Sequence, residues 1–183
     1  RKRGCVAFSP LKAPSALLGM DILDPAPAMF PAYYSIKHNG MLGCAMVDED
    51  GEKMWRSYNQ ETIYMAPHIK AMFKDILDFA NEKEVVMVGE FNSSSYNKAG
   101  QTLSILAGSI PCPDDFMFKC FYEVPYSVWN GSLKMQMGDL ISSPRNYLDN
   151  FHAVVQNPVD NYEQFQDKTD QTKGSNLEGY MLL

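Results

Sequence analysis

The chain has 183 residues, of which 45% are hydrophobic and 21% are charged, and its formal net charge is −6. This composition is typical of a soluble globular protein with one sizeable core, and it excludes an intrinsically disordered chain. The acidic balance argues against a dedicated, strongly basic nucleic-acid clamp, although a local basic patch would still permit contact with nucleic acid.

The hydrophobic residues are dispersed along the chain. No apolar run approaches the roughly 20 residues that a membrane-spanning helix needs, and the start, Arg1–Cys5, is not followed by the apolar stretch of a secretory signal. The four cysteines are scattered and form no CxxC pair, which is typical of a reducing compartment and gives no reason to expect a zinc site. We expect a cytoplasmic protein without a membrane segment.

The first part of the chain is predicted to be extended and then to form a β-meander. Residues 1–29 are rich in proline, which favours an extended lead-in broken by turns, and regular structure is expected from Ala32. The pair Asn39-Gly40 is typical of a tight hairpin turn with positive φ, and Asp48–Gly51 predicts a second turn. The predicted antiparallel strands of this meander are Ala32–Ile36, Leu42–Val47 and Lys53–Arg56.

The middle of the chain combines helical and strand patterns. Apolar residues recur at spacings of three and four over Pro67–Asn81, which predicts one helix. Val85–Val88 is an apolar run of strand length that ends at Gly89-Glu90. A strand is predicted over Phe116–Val124, and its alternation places four side chains on one side: Phe116, Phe118, Cys120 and Tyr122.

The remaining segments complete an α+β prediction. They are a short helix at Gln101–Ala107, a strand, turn and strand over Val128–Leu133, a strand or short helix within Tyr147–Val155, a helix at Tyr162–Thr169 capped by Asn161, a loop at Asp170–Asn176 and a strand at Leu177–Leu183. Mostly antiparallel strands with two or three helices on the outside define the α+β class.

Four short segments carry the candidate chemistry. The standard phosphate loops and hydrolase signatures (GxxxxGK[ST], GxGxxG after a strand, GxSxG and HExxH) do not occur in the sequence. Each of the four segments is ordinary when it is taken alone, because a lysine beside Asn-Gly is usually a hairpin residue and an aromatic residue on a strand is usually core. In chain order they are Ser35–Gly40, Val88–Phe91, Phe121–Val124 and Leu177–Met181.

The order of these segments resembles the ATP-dependent DNA ligases, particularly the short phage-type enzymes. Those enzymes belong to the covalent nucleotidyltransferase superfamily, together with RNA ligases and mRNA capping enzymes. The family pattern is Lys-x-Asp-Gly, Asp-Gly-Glu, an aromatic–acid strand and Glu-Gly-x-hydrophobic. The segments that look like it are Lys37–Gly40 after Phe30-Pro31, Val88–Glu90, Tyr122-Glu123 and Glu178-Gly179, and Arg56–Asn59 resembles the arginine segment between the first two.

The resemblance runs from about Phe30 to Leu183 and implies an adenylation domain over residues 30–183. This fold has antiparallel β-sheets flanked by helices, with the nucleotide cleft between the sheets. The lysine-rich final motif and the small OB-fold domain of the family do not follow Glu178 in this chain, so we expect the domain to be truncated.

The resemblance also implies a role for each site residue. Lys37 would carry covalent AMP, and its attack on ATP needs an unprotonated amine although a free lysine has a pKa of about 10.4. We therefore expect partial burial, cationic neighbours or a metal to disfavour the charge on Lys37. Tyr122 would stack on adenine, where an aromatic ring contributes about 1–3 kcal/mol per base. The implied catalytic residues are Lys37, Glu90 and Glu178, and the implied nucleotide-binding residues are Ser35 and Ile36 at the adenine edge, Asn39, Gly40, Arg56, Glu90 and Tyr122.

The implied reaction uses ATP and Mg²⁺ and has three steps. Lys37 forms lysyl-AMP and releases pyrophosphate, AMP passes to the 5′-phosphate of a nicked strand, and the 3′-hydroxyl displaces AMP. Glu178 would place the Mg²⁺ ion, which favours carboxylate oxygen. The implied partner is nicked DNA, with RNA as an alternative, and the protein would be a monomer in the cytoplasm, or in the host cytoplasm if it is phage-encoded.

Two departures from the family pattern keep alternatives open. Asn39 stands where the family usually has Asp, and Leu42 stands where DNA ligases typically have Arg. RNA ligases of one phage type tolerate a leucine at that position. The alternatives are an RNA ligase or related nucleotidyltransferase, and a nucleotide-binding module whose chemistry has decayed. The sequence beyond Leu183 would discriminate between them.

Overall fold

The computed structural model describes residues 30–48, 50–96, 99–135, 137–170 and 180–182. The chain divides into two compact units, whose described parts are residues 39–153 in unit 1 and residues 30–38 and 154–182 in unit 2. The extended lead-in predicted over residues 1–29 lies outside the described residues.

The described elements are eight strands, five α-helices and one 3₁₀ helix. The strands are β1 Ala32–Ile36, β2 Met41–Val47, β3 Lys53–Arg56, β4 Val85–Asn92, β5 Met117–Pro125, β6 Phe151–Ala153, β7 Asn157–Val159 and β8 Tyr180–Leu182. The helices are α1 Pro67–Met72, α2 Lys74–Lys83, α3 Ala99–Leu106, α4 Tyr126–Trp129, the 3₁₀ helix Met137–Leu140 and α5 Tyr162–Asp170. The predicted α+β class is confirmed.

Unit 1 contains a five-stranded sheet in the order β3-β2-β4-β5-β6. Its strand pairs are antiparallel except for β5 and β6, which run parallel. One face of the sheet buries an aromatic cluster in which the Trp55 ring lies 4.7 Å from Phe91 and 4.8 Å from Phe118, between centroids. Each such ring pair contributes about 0.5–1.5 kcal/mol beyond the area that it buries.

The predicted hairpin at Asn39-Gly40 is wrong. Strand β1 has β7 on one edge and β8 on the other, so both of its edges are occupied and it does not pair with β2. Neither Asn39 nor Gly40 has positive φ. The turn between β2 and β3 is confirmed, because Asp48 Oδ1 accepts hydrogen bonds from the backbone N–H groups of Asp50 at 2.9 Å and Glu52 at 2.8 Å.

The single helix predicted over Pro67–Asn81 is two helices. Helix α1 ends at Met72 and α2 begins at Lys74, because Phe73 between them has φ −106° and ψ 11°. The Phe73 side chain is fully buried, and its ring centroid lies 5.1 Å from that of Phe91. The apolar period predicted the buried side of both helices correctly but carried no signal for the break.

The predictions for the last third are partly wrong. Residues Tyr126–Trp129 form helix α4 instead of the predicted strand, whereas the turn at Asn130-Gly131 is present, with φ +81° at Gly131. Pro125 ends β5, and the Tyr126 hydroxyl accepts a hydrogen bond from the Val47 amide at 3.2 Å, which holds the chain in the helical turn. The segment Tyr147–Val155 contains strand β6, and strand β7 was not predicted.

Unit 2 contains a three-stranded antiparallel sheet in the order β7-β1-β8, with helix α5. The Phe165 ring of α5 lies 6.1 Å from Phe30 and 6.0 Å from Tyr34, between centroids. The predicted cap of α5 is confirmed, because Asn161 Oδ1 accepts a hydrogen bond from the Gln164 amide at 2.9 Å. Of the predicted strand Leu177–Leu183, Tyr180–Leu182 is confirmed, and the rest lies outside the described residues. The search of the described helices for a membrane span found none that is both long and apolar enough.

Candidate functional site

The two faces of the unit 1 sheet carry different side chains. Residues that alternate along the strands bury against the helices, and they include Ala45, Trp55, Met87, Phe91 and Phe118. Because directly opposed residues on paired strands share a face, the registers define the membership of the other face. We name it the site face, and it carries Leu42, Cys44, Arg56, Val88, Glu90, Lys119 and Tyr122.

Tyr122 reaches the site face through an irregularity in β5. Val88 pairs with Tyr122 and Gly89 pairs with Cys120, so the register shifts between them and Phe121 has no partner on β4. An extra residue of this kind re-aims the side chains that follow it. The predicted alternation, with Cys120 and Tyr122 on one side, is therefore wrong: Cys120 belongs to the helix-facing core and Tyr122 lies opposite.

The Tyr122 side chain is buried and its hydroxyl is unsatisfied. The residue is 2% exposed, and within the described residues the hydroxyl oxygen has no hydrogen-bond partner. Burial raises the pKa of the phenol.

Glu90 and the Asn39-Gly40 pair lie together at one end of the site face. A Cβ atom on Gly40 would lie 1.9 Å from the Phe91 carbonyl oxygen and 3.3 Å from Glu90 Cγ, so only glycine permits this approach. The Asn92 side-chain amide donates a hydrogen bond to the Asn39 carbonyl oxygen. Gly40 is required by close backbone contact, and not by the positive φ that the hairpin prediction assumed.

Arg56 lies at the β3 edge of the same face. It pairs with Cys44 of β2, and its Nε donates to the Met54 sulfur at 3.1 Å. Strands β2 and β4 lie between β3, which carries Arg56, and β5, which carries Tyr122. The two residues are therefore three strand spacings apart across the sheet, or roughly 14 Å. Burial raises the pKa of the Cys44 thiol to about 12, so this cysteine is an unreactive residue of the site face.

Three further residues to which the resemblance gives a role, Ser35, Ile36 and Lys37, belong to unit 2. Ser35 is fully buried and pairs with Met181, whereas Ile36 is 38% exposed and pairs with Tyr180. The Ser35 hydroxyl oxygen has no hydrogen-bond partner in the part of the chain that the structure describes. Lys37 follows Ile36 directly and is half-buried.

Glu178 and Gly179 lie outside the described residues. The first described residue after them, Tyr180, is the β8 partner of Ile36. Among the side chains that the structure does describe, no group of three or more His, Cys, Asp or Glu residues is placed to hold a metal ion.

Two features of β5 escaped the sequence analysis. Lys119 pairs with Glu90 on the site face, and only knowledge of the strand register reveals this neighbour. Glu123 faces the helices instead, where its carboxylate accepts hydrogen bonds from Arg145 at 3.0 and 3.2 Å. The Arg145 guanidinium also lies 4.8 Å from the centroid of the Phe79 ring. The acid of the aromatic–acid pair is therefore ion-paired on the face opposite Tyr122.

The comparisons with known proteins found similar structures but no match by sequence. No protein-family model matches the chain, and no curated protein matches it significantly. The solved structure described as Pmar-Lig_PreS3 is 14% identical, with a TM-score of 0.60 over 85% of this chain and 39% of that chain. Pmar-Lig_Pre. is 15% identical, with a TM-score of 0.58 over 82% of this chain and 37% of that chain.

A third structure carries the words "DNA binding with a minimal scaffold: Structure-function analysis of Lig E DNA ligases". It is 18% identical, with a TM-score of 0.51 over 84% of this chain and 55% of that chain. The chain thus spans between 37% and 55% of the length of these three structures. It has a ligase-type fold, which confirms the fold that the sequence motifs implied.

Proposed function

We propose that the chain is the adenylation domain of an ATP-dependent polynucleotide ligase that seals nicks in DNA. In this proposal the domain covers residues 30–183. The observation that carries the proposal is the convergence of Arg56, Glu90 and Tyr122 on one sheet face. These three residues come from three separate sequence motifs.

The roles follow from chemistry and position. Lys37 Nζ attacks the α-phosphorus of ATP, a phosphorus–nitrogen bond forms, and the bond to pyrophosphate breaks. The proposed roles are Tyr122 for the adenine ring, and Glu90 and Arg56 for the ribose and phosphate. Ser35 and Ile36, which precede Lys37 in the chain, are proposed for the adenine edge. Asn39 and Gly40 hold the backbone that follows Lys37 against β4.

Two unsatisfied hydroxyls support a nucleotide site. Most buried polar groups in proteins have a hydrogen-bond partner, so each exception calls for an explanation. Eight buried side-chain atoms lack a partner among the described residues, and the Ser35 and Tyr122 hydroxyl oxygens, which belong to the nucleotide-binding set, are two of them. A bound nucleotide supplies such partners.

The residues present fit a magnesium ion held mainly by the substrate. Mg²⁺ commonly takes one or two carboxylates together with phosphate oxygens, so a cage made only of protein groups is not needed. We propose Glu178 as the protein carboxylate that helps to place the ion. The ion, when bound, neutralises charge on the triphosphate.

RNA is the second candidate substrate, and the reason is the residue type at position 42. Leu42 lies directly opposite Glu90 on the site face. The DNA ligases that the chain resembles typically have an arginine there, and some RNA ligases do not. We propose a monomeric enzyme that acts in the cytoplasm, with DNA as the first substrate.

Sealing of defined nicks by the full-length protein tests this function. With ATP and Mg²⁺, a nicked duplex that carries a 5′-phosphate should be adenylated at that phosphate and then joined. A parallel all-RNA duplex separates the two candidate substrates. If ATP binds while no AMP passes to either nucleic acid, the chain is a nucleotide-binding module and the ligase proposal fails.

A further inference from the structure

Lys119 occupies a position on the site face that none of the motifs identifies. Its neighbours in sequence, Phe118 and Cys120, are fully buried in the helix-facing core, so Lys119 lies on the opposite face. It pairs directly with Glu90, which in turn pairs with Leu42. Leu42, Glu90 and Lys119 therefore form one row across three neighbouring strands.

Along β4, this row lies two residues from the row that contains Tyr122. Tyr122 pairs with Val88, two residues before Glu90, so the two rows are roughly 7 Å apart along the strand direction. The row of Tyr122 holds the proposed adenine ring. A row displaced by this distance suits the ribose and the phosphates that extend from adenine.

Cations are sparse on this face. Among the described residues of strands β2 to β6, the lysines and arginines are Lys53, Arg56 and Lys119. Lys53 lies on the helix-facing side and donates to Asp78 of α2 at 2.6 Å. Arg56 and Lys119 therefore flank the face from opposite sides, with β2 and β4 between them.

Lys119 is half-buried, and burial lowers its pKa while the charge of Asp115 acts in the opposite direction. A cation at this position can bind a phosphate oxygen through a charge-assisted hydrogen bond. We propose that Lys119 binds a phosphate group of the substrate. The inference deepens the proposed ligase function, and the phosphate belongs to ATP or to the 5′ end of the nicked strand.

Binding measurements on the full-length protein distinguish these two sources. The first arm compares the affinities for ATP and adenosine, and the second compares nicked duplexes with a 5′-phosphate and a 5′-hydroxyl. In Lys119→Met, the preference for the phosphorylated ligand should fall by about tenfold or more in one arm, as expected for the loss of a charged hydrogen bond. The arm that loses its preference identifies the phosphate. Affinity for adenosine should not change.

Lys119→Arg keeps the charge and should retain most of the preference, while Lys119→Gln is the second neutral variant if the methionine protein does not fold. Lys53→Met is the matched control, because it removes a strand lysine from the opposite face of the same sheet. The inference is overturned if neutral variants keep both preferences, or if the wild-type protein shows neither. Covalent AMP on the wild-type protein is scored separately, so the ligase proposal can fail while phosphate binding by Lys119 stands.

Discussion

At the scale of single residues, Tyr122 and Tyr126 differ in how their hydroxyls are satisfied. Both side chains are buried. The Tyr126 hydroxyl accepts a hydrogen bond from the Val47 amide, whereas the Tyr122 hydroxyl has no partner in the described part of the chain. A buried hydroxyl without a partner lowers the free energy of unfolding by about 1–3 kcal/mol. A phenylalanine at the same place would avoid this cost. The nucleotide-binding role proposed for Tyr122 is one reason for a tyrosine at this position.

Tyr122→Phe should raise the free energy of unfolding by about 1 kcal/mol, because it removes an unsatisfied hydroxyl and keeps the ring. Tyr126→Phe is the matched control and should lower the free energy of unfolding by about 1 kcal/mol, since the Val47 amide loses its acceptor. Urea denaturation measures both values. Equal destabilisation by the two substitutions would mean that the Tyr122 hydroxyl has a partner, and the argument for a ligand would fail.

At the scale of elements, the segment around Gly40 packs against strand β4 without room for a side chain. The nearest atom to an added Cβ is the Phe91 carbonyl oxygen, a backbone atom that cannot move without disturbing the ladder between β2 and β4. The glycine of the lysine motif is thus fixed by packing within unit 1.

Gly40→Ala should lower the free energy of unfolding by at least about 2 kcal/mol, because of the overlap with Phe91. Gly100→Ala is the matched control. Gly100 lies in α3, and none of the described residues outside the helix backbone comes within 4 Å of an added Cβ, so its substitution should be neutral or stabilise by up to about 1 kcal/mol. Thermal and urea unfolding measure the difference. A Gly40→Ala protein as stable as the wild type would contradict the packing described for this segment.

A second element-scale contact joins the end of β4 to the loop before β5. Asp115 accepts hydrogen bonds from Ser93 Oγ at 2.6 Å and from the Ser94 amide at 2.9 Å. Hydrogen bonds from Ser93 and Ser94 lower the pKa of this carboxyl to about 2, from an ordinary value of 3.8. The folded-state pKa is therefore below the unfolded-state pKa.

The stability that Asp115 contributes should be fully present above about pH 4 and lost as the pH falls towards about 2. The difference in Tm between the wild type and Asp115→Asn should accordingly be largest near neutral pH and vanish in acid. The effect is small because the carboxylate is exposed, so low ionic strength favours its detection. Asp114→Asn is the control. A difference that grows towards acid would contradict the proposed sign.

At the scale of the whole molecule, the sequence predicted local structure better than strand pairing. Periods of two and of three to four residues identified most strands and helices, because those periods follow from local geometry. The pairing of β1 with β7 and β8 depends on segments more than 100 residues apart in the chain, which no local pattern encodes. The break at Phe73 and the helix at Tyr126–Trp129 likewise depend on tertiary packing.

The candidate site shows the same division. The motifs selected Arg56, Glu90 and Tyr122, but a strict strand alternation put Tyr122 on the core side, and only the shift at Phe121 turns it to the site face. Lys119 was missed because its significance comes from facing Glu90 on another strand. The sequence motifs were enough to pick these three candidate residues. The strand register was needed to decide on which face of the sheet each side chain lies.

The covalent role of Lys37 is the central claim, and peptide mapping by mass spectrometry tests it most directly. After the full-length protein is exposed to ATP and Mg²⁺, a single AMP should be found on the peptide that contains Lys37. Lys37→Ala should carry no AMP, and Lys53→Ala should carry as much as the wild type. AMP on a different lysine, or none on a folded protein that binds ATP, would contradict the assignment.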